Sequence, residues 1–267
     1  MKNKINNLPA IFLASTFFVT SLTSCATSPT GQSQLKIVPK SEVTRMGVTA
    51  FEDIKRSTPI NRNRALNTYV RCVADAIIRE IPGNTSWEVV VFEDEAVNAF
   101  ALPGGKIGVY TGLLNVADGQ DQLASVIGHE IAHVSADHGN ARISAAYATQ
   151  SGFQLVQAMA GVVTPQKAQL LGLLGVGLQA GILLPYGRGQ ESEADILGLN
   201  YMANVGFVPG ASILLWENMR KENKEQPPEF LSTHPSHQTR INDLKSAMPD
   251  AQRLFNQAMS QGKRPSC

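Results

Sequence analysis

Residues 128–139 read GHEIAHVSADHG and place three histidines, His129, His133 and His138, in one short stretch. Imidazole nitrogens suit a divalent transition metal, and the spacing decides which of them can share one ion. On a helix, His129 and His133 stack on one face, about 40° apart around the axis. Both can then grip one Zn2+ at about 2.0–2.1 Å. Glu130 follows His129 on the same rim, where it reaches a water at the metal rather than the metal itself. That is the mechanics of HExxH, and the chemistry is hydrolysis. A catalytic zinc has three protein ligands and one open position, so a third ligand must come from elsewhere in the chain.

His138 is a poor choice. An uninterrupted helix puts it about 140° from His133 and about 180° from His129, away from the metal face. The metzincin pattern needs a glycine three residues after the second histidine and a third histidine six after it. Those positions hold Ala136 and Gly139. His138 is therefore expected at the end of the helix, near its negative pole, with Gly139 as the cap. The better candidate lies in RGQESEADILG, residues 188–198. Glu191 and Asp195 are four apart on one helix face. Glu191 can complete a His2Glu site, and Asp195 can accept the outer N–H of a ligand histidine. Glu193 lies about 200° round from Glu191 and is expected to face solvent.

These side chains need helices to carry them and a sheet beside them. Apolar periodicity predicts helices near 41–56, 63–80, 120–138, 140–160, 166–184, 190–205, 210–223 and 238–259. Residues 86–92 (SWEVVVF) are β-rich, and 97–112 reads as two short strands around Pro103-Gly104-Gly105. The fold class is α+β, mostly α, with a small sheet. The stretch KAQLLGLLGVGLQAGILLP (167–185) fits a buried core helix, a membrane-dipping segment or an active-site lid. With 43% apolar and 17% charged residues the composition is that of a globular protein. A net charge of +1 without a basic stripe argues against a nucleic-acid partner.

The N-terminus divides the chain. Lys2 and Lys4 precede an apolar run that ends at Leu22-Thr23-Ser24-Cys25, too short for a stable spanning helix. Residues 1–24 are expected as a signal peptide, 25–40 as a Ser/Thr/Pro/Gln-rich tether and 41–267 as the catalytic domain. The cysteine after small residues resembles the lipobox of bacterial lipoproteins. That resemblance implies acylation of Cys25 and attachment to a membrane through the lipid. With Ala26 next, it implies an outer-membrane lipoprotein of a Gram-negative cell, facing the periplasm. Two cysteines remain, Cys72 and Cys267. In an oxidising compartment they can pair as a disulfide or stay as free thiols, and the sequence leaves both open.

GHEIAHVSADHG, ESEADILG, NAFALPGGKIGVYTGLL and STHPSHQTRI together resemble metallopeptidase family 48, the gluzincin family of HtpX-like and CAAX prenyl proteases. The likeness spans roughly residues 60 to 247 and is nearest to compact periplasmic lipoprotein members. It implies one Zn2+ per chain held by His129, His133 and Glu191, with Glu130 as base and Asp195 behind a ligand. It also implies that His234-Pro235 and Arg240 lie over the site. His234 would donate to a developing oxyanion or cap the zinc, and Arg240 would orient carboxylates or stabilise the intermediate. Asn98, Ala99, Phe100 and Ala101 resemble the gluzincin edge strand, which pairs with an extended peptide. The implied function is a membrane-anchored zinc endopeptidase acting on unfolded or misassembled envelope proteins in quality control. The alternatives are a chaperone-like or binding lipoprotein with a latent or structural zinc and, more distantly, a small-molecule zinc hydrolase.

Overall fold

The computed structural model describes residues 25–160, 186–222, 230, 234 and 238–267. The signal-like residues 1–24 and most of the apolar stretch 152–184 lie outside the described residues, as do Thr233, Pro235 and His237. Element order is β1 (Cys25–Thr27), β2 (Ser33–Leu35), α1 (Lys40–Ser57), α2 (Arg64–Ile78), β3 (Glu88–Phe92), β4 (Ala99–Leu102) and β5 (Lys106–Tyr110). Then follow α3 (Thr111–Leu114), α4 (Gly119–Ser135), α5 (His138–Ala160), α6 (Arg188–Asn204), α7 (Ala211–Glu222) and α8 (Gln238–Ser260).

Helix α2 starts where Asn63 accepts the Leu66 N–H and buries Val70, Val73, Ala74 and Ile77 at helical spacing. That stripe covers one side of a three-stranded sheet of order β3-β5-β4. Strand β3 runs parallel to β5, and β4 returns antiparallel to it, with Ala101 opposite Ile107. The turn between β4 and β5 needs left-handed backbone at Gly104 (φ 89) and Gly105 (φ 76), which glycine adopts without a Cβ clash. Strand β4 is therefore an edge. The carbonyl of Asn98 accepts the Tyr110 N–H, so the antiparallel alternation turns the main-chain groups of Ala99 and Ala101 to the open side.

Helix α4 runs past that open edge and is buried from Gln122 to Ala124 and from Val126 to His133. A helix buried nearly all round must be enclosed by neighbours, and here α2, β4, α6 and α7 enclose it. The approach of α6 is the tightest. A Cβ on Gly198 would lie 2.7 Å from the His129 backbone nitrogen, and one on Gly128 would lie 2.9 Å from the Gly198 carbonyl oxygen. Two glycines thus let the helices that carry HExxH and ESEAD meet backbone to backbone.

Three expectations change. Helix α4 ends at Ser135 rather than 138, because Asp137 takes a left-handed conformation (φ 60). His138 is not the last residue of that helix; it opens α5. Residues 25–40 are not a free tether. Their backbone polar groups find partners on the body: Thr30 N–H and Oγ1 on Glu193, and the Ile37 and Val38 N–H groups on Ser144 Oγ. The remaining open question closes as a bond. Cys72 of α2 and Cys267 form a disulfide, Cα atoms 5.6 Å apart, which holds residues 263–267 beside the first turn of α4, where Cys267 N–H donates to Gln120 Oε1.

The glycine crossing gives a test. Gly198→Ala forces two backbones apart and should cost about 1–3 kcal/mol, the usual range for overpacking. Urea unfolding of the metal-stripped protein, wild type against variant, measures it; equal midpoints would show that the crossing is not tight.

Candidate metal centre and active site

Helix α4 supplies His129, Glu130 and His133 from one buried face, as the four-residue spacing predicts. Helix α6 crosses it and supplies Glu191 and Asp195. The nitrogens His129 Nε2 and His133 Nε2 face each other at 3.0 Å. Glu191 closes the triangle, with Oε1 3.4 Å from His133 Nε2 and Oε2 3.6 Å from His129 Nε2. His234 Nδ1 comes to 3.2 Å from His129 Nε2 and 3.0 Å from Glu191 Oε1. One donor atom from each of His129, His133, Glu191 and His234 falls within 4.8 Å of all the others, and all four residues are buried.

This set fits zinc. Donors about 2.0–2.1 Å from one tetrahedral ion sit roughly 3.3 Å from one another, and two imidazoles with a carboxylate are the usual ligand types of a catalytic zinc. The outer nitrogens are also occupied, which fixes the ring orientation that a metal needs. His129 Nδ1 lies 2.9 Å from Asp195 Oδ1. Arg240 clamps Asp195 in turn, with Nε 2.6 Å from Oδ2 and NH2 2.7 Å from Oδ1, and its NH1 donates to the His234 carbonyl.

Glu130 stands apart from this donor set. Its Oε2 accepts the N–H of Ala101 on the open edge of β4 at 2.9 Å. Its Oε1 is buried, accepts no hydrogen bond among the described residues and lies 3.3 Å from His234 Nε2. A buried carboxylate left half satisfied is costly unless it has a task.

The electrostatics follow from burial and crowding. Burial disfavours the charged form of His129, but the Asp195 and Glu191 carboxylates outweigh it and raise the pKa to about 9 in the metal-free site. His133 goes the other way, held well below its ordinary value chiefly by burial. Burial pushes Glu130 upward, against the pull of His234 and His129. Burial also opposes ionisation of Glu191 and Asp195, yet the histidines around the first and Arg240 beside the second keep both below the usual carboxylate range.

His129, Glu130, His133, Glu191, Asp195, His234 and Arg240, expected from HExxH, ESEAD and the HP…R stretch, come together here, and Pro235 lies outside the described residues. Of the edge-strand residues, Ala99, Phe100 and Ala101 lie in β4 and Asn98 just before it. Two expectations fail. Glu193 does not face solvent; it is 1% exposed, because α6 is covered there by residues 28–32. His138, wholly buried, does not point away from the site; the turn at Asp137 brings its Nδ1 to 2.9 Å from His133 Nδ1. Tyr186 was missed altogether. Its ring stacks on His133 at 3.7 Å between centroids, and the Arg142 guanidinium lies 3.9 Å from its centroid. No spacing rule links Tyr186 to the motif that follows it. A cleft of about 530 Å³ borders the site, with Ala101, Pro103, His133 and Tyr186 in its wall.

Residues 61–248 match the family described as peptidase family M48. The chain belongs to that family. Its domain is a metallopeptidase domain, mostly helical, and the family uses zinc. The chain is similar to the mitochondrial metalloendopeptidase OMA1 of Schizosaccharomyces pombe, 38% identical over 168 residues that cover 62% of this chain and 48% of that protein. It is 32% identical to the mitochondrial metalloendopeptidase OMA1 of Danio rerio over 266 residues, 91% of this chain and 54% of that protein. The beta-barrel assembly-enhancing protease of Escherichia coli is 25% identical over 209 residues, 76% of this chain and 43% of its own length. The chain spans about half the length of the relatives it matches. The expectation of a Gram-negative outer-membrane lipoprotein facing the periplasm is corrected by these matches: the relatives named here that cover 62% and 91% of the chain at 38% and 32% identity are mitochondrial proteins. The lipobox-like residues are a short pattern, whereas these likenesses extend over most of the chain.

The raised pKa of His129 predicts proton release on metal uptake. Below about 9 the metal-free ring is charged, whereas a ligand imidazole must be neutral. Zinc titrated calorimetrically near pH 7.5, in buffers of different ionisation enthalpy, should release at least one proton per site. A buffer-independent heat would contradict this.

Proposed function

We propose that this chain is a zinc-dependent endopeptidase that cleaves unfolded or misassembled polypeptides, with Glu130 as general base and His129, His133 and Glu191 as metal ligands. The observation that carries the reading is the placement of Glu130. It is buried beside three ligand-type side chains, and its free oxygen faces the same space as theirs. A structural zinc has four protein ligands and needs no such neighbour.

When bound there, zinc polarises a carbonyl and acidifies water. The protein groups do the rest. An extended peptide lies along the open edge of β4 and pairs with the main chain of Ala99, which directs its backbone rather than its side chains across the site. Glu130 takes the proton of the attacking water and passes it to the leaving amine. The Ala101 N–H holds Glu130 Oε2, so the free Oε1 is the one aimed at the water. Asp195, clamped by Arg240, keeps the proton of His129 on Nδ1 and so leaves Nε2 to the metal. Main-chain recognition favours substrates with exposed, unpaired backbone. The name of the Escherichia coli relative, a beta-barrel assembly-enhancing protease, supports the same class of substrate.

A second reading concerns regulation of the same site. His234 sits in the donor cluster as a fourth group, which supports a resting state with the open position capped. Its backbone is held by the Phe230 carbonyl and by Arg240, so opening would require this segment to move.

Two substitutions test these readings. Glu130→Gln should retain zinc and lower cleavage of a denatured protein by about 10²–10⁴-fold, the usual worth of a general base; undiminished cleavage would remove Glu130 from the mechanism. His234→Ala should raise cleavage if His234 is a cap. A fall in kcat of about 10²–10³-fold would instead make it a donor to the oxyanion.

A further inference from the structure

The back of His129 is explained by Asp195 and Arg240. The back of His133 has a different set of partners, which no HExxH or ESEAD role accounts for. His133 Nδ1 is 2.9 Å from His138 Nδ1, and His138 Nε2 is 3.2 Å from Glu193 Oε2. Glu193 Oε1 accepts from Thr30 twice, from N–H at 3.1 Å and from Oγ1 at 2.7 Å. His133, His138 and Glu193 are each 1% exposed or less.

The direction of this chain of bonds is fixed by chemistry. A histidine that gives Nε2 to a metal carries its proton on Nδ1. His133 Nδ1–H must then donate to His138 Nδ1. His138 so carries its own proton on Nε2 and donates it to Glu193. A carboxylate only accepts, and Thr30 supplies two donors to its other oxygen. From His133 to Glu193 each link has one donor and one acceptor. The docking of residues 28–32 on α6 thus closes the chain at its outer end, and Gln32 Nε2 reinforces it by donating to the Gly189 carbonyl at 3.2 Å.

We propose that His138 and Glu193 are positioning residues for His133, and that the β1–β2 hairpin completes this relay through Thr30. The hairpin is then part of the metal site, although it lies about a hundred residues before the motif in sequence. The inference rests on His133 being a ligand. Partners behind a ligand histidine are commonly worth 10–100-fold in metal affinity.

The test measures Zn2+ affinity on metal-stripped protein by competition with a chromophoric chelator, without any activity assay. His138→Phe should weaken Zn2+ binding about 10–100-fold, while His138→Gln, which can still accept and donate, should recover part of the loss. Glu193→Gln and Thr30→Val should weaken binding in that order by smaller factors. The visible spectrum of the Co2+-substituted protein should shift in His138→Phe, a change that a purely structural role would not produce. Unchanged zinc affinity in His138→Phe and Glu193→Gln would overturn the proposal. If His138→Phe does not fold, unchanged affinity in both Glu193→Gln and Thr30→Val overturns it, and weakened affinity in both supports it. His133→Ala separates the two levels: stoichiometric tight zinc in that variant would refute the ligand assignment itself.

Discussion

The close crossing of α4 and α6 at Gly128 and Gly198 is the contact on which the rest of the site depends. Helix axes usually stand 8–10 Å apart, depending on the side chains between them. Here there are none at the crossing, and backbone meets backbone. This approach brings the Glu191 side chain against the ring nitrogens of His129 and His133, which stand one turn apart on α4. A methyl group at either position separates the helices along the whole donor set.

Around this crossing the protein backs each of His129, Glu130 and His133 with a partner of its own. Asp195 and Arg240 hold His129, the Ala101 N–H holds Glu130, and His138 with Glu193 holds His133. These partners come from β4, α5, α6, α8 and the first hairpin. The site is a convergence of the whole domain rather than a helix with two histidines. The low-dielectric surroundings strengthen each bond and make each unpaired group costly, so the network tolerates little partial assembly.

Much of this was legible in the sequence, for a physical reason. HExxH and ExxxD are fixed by the helical period, and a four-residue spacing is visible without coordinates. The helices of the described residues and the Pro-Gly-Gly hairpin were legible on similar grounds. What the period cannot show is where it stops. A single left-handed residue, Asp137, turned His138 from a distant helix end into the neighbour of His133. Glu193 misled for the opposite reason. Its angle on α6 is as the period gives it, but that face is covered by residues far away in sequence. The same long-range docking made a Ser/Thr-rich segment, by composition a tether, into a packed hairpin. The localisation failed because a few residues around Cys25 carry little information against similarity over most of the chain.

The order in which the pieces leave the ribosome has a consequence of its own. His129 and His133 emerge first, as a two-histidine face able to catch a metal but with no carboxylate to complete it. Glu191 and Asp195 follow about sixty residues later, and Arg240 later still. At roughly 5–20 residues per second, seconds separate these arrivals. Throughout that interval the base has no completed centre to serve. On the proposed assignment of ligands and base, the centre is completed only when the last layer of helix, which carries Arg240, has closed over it.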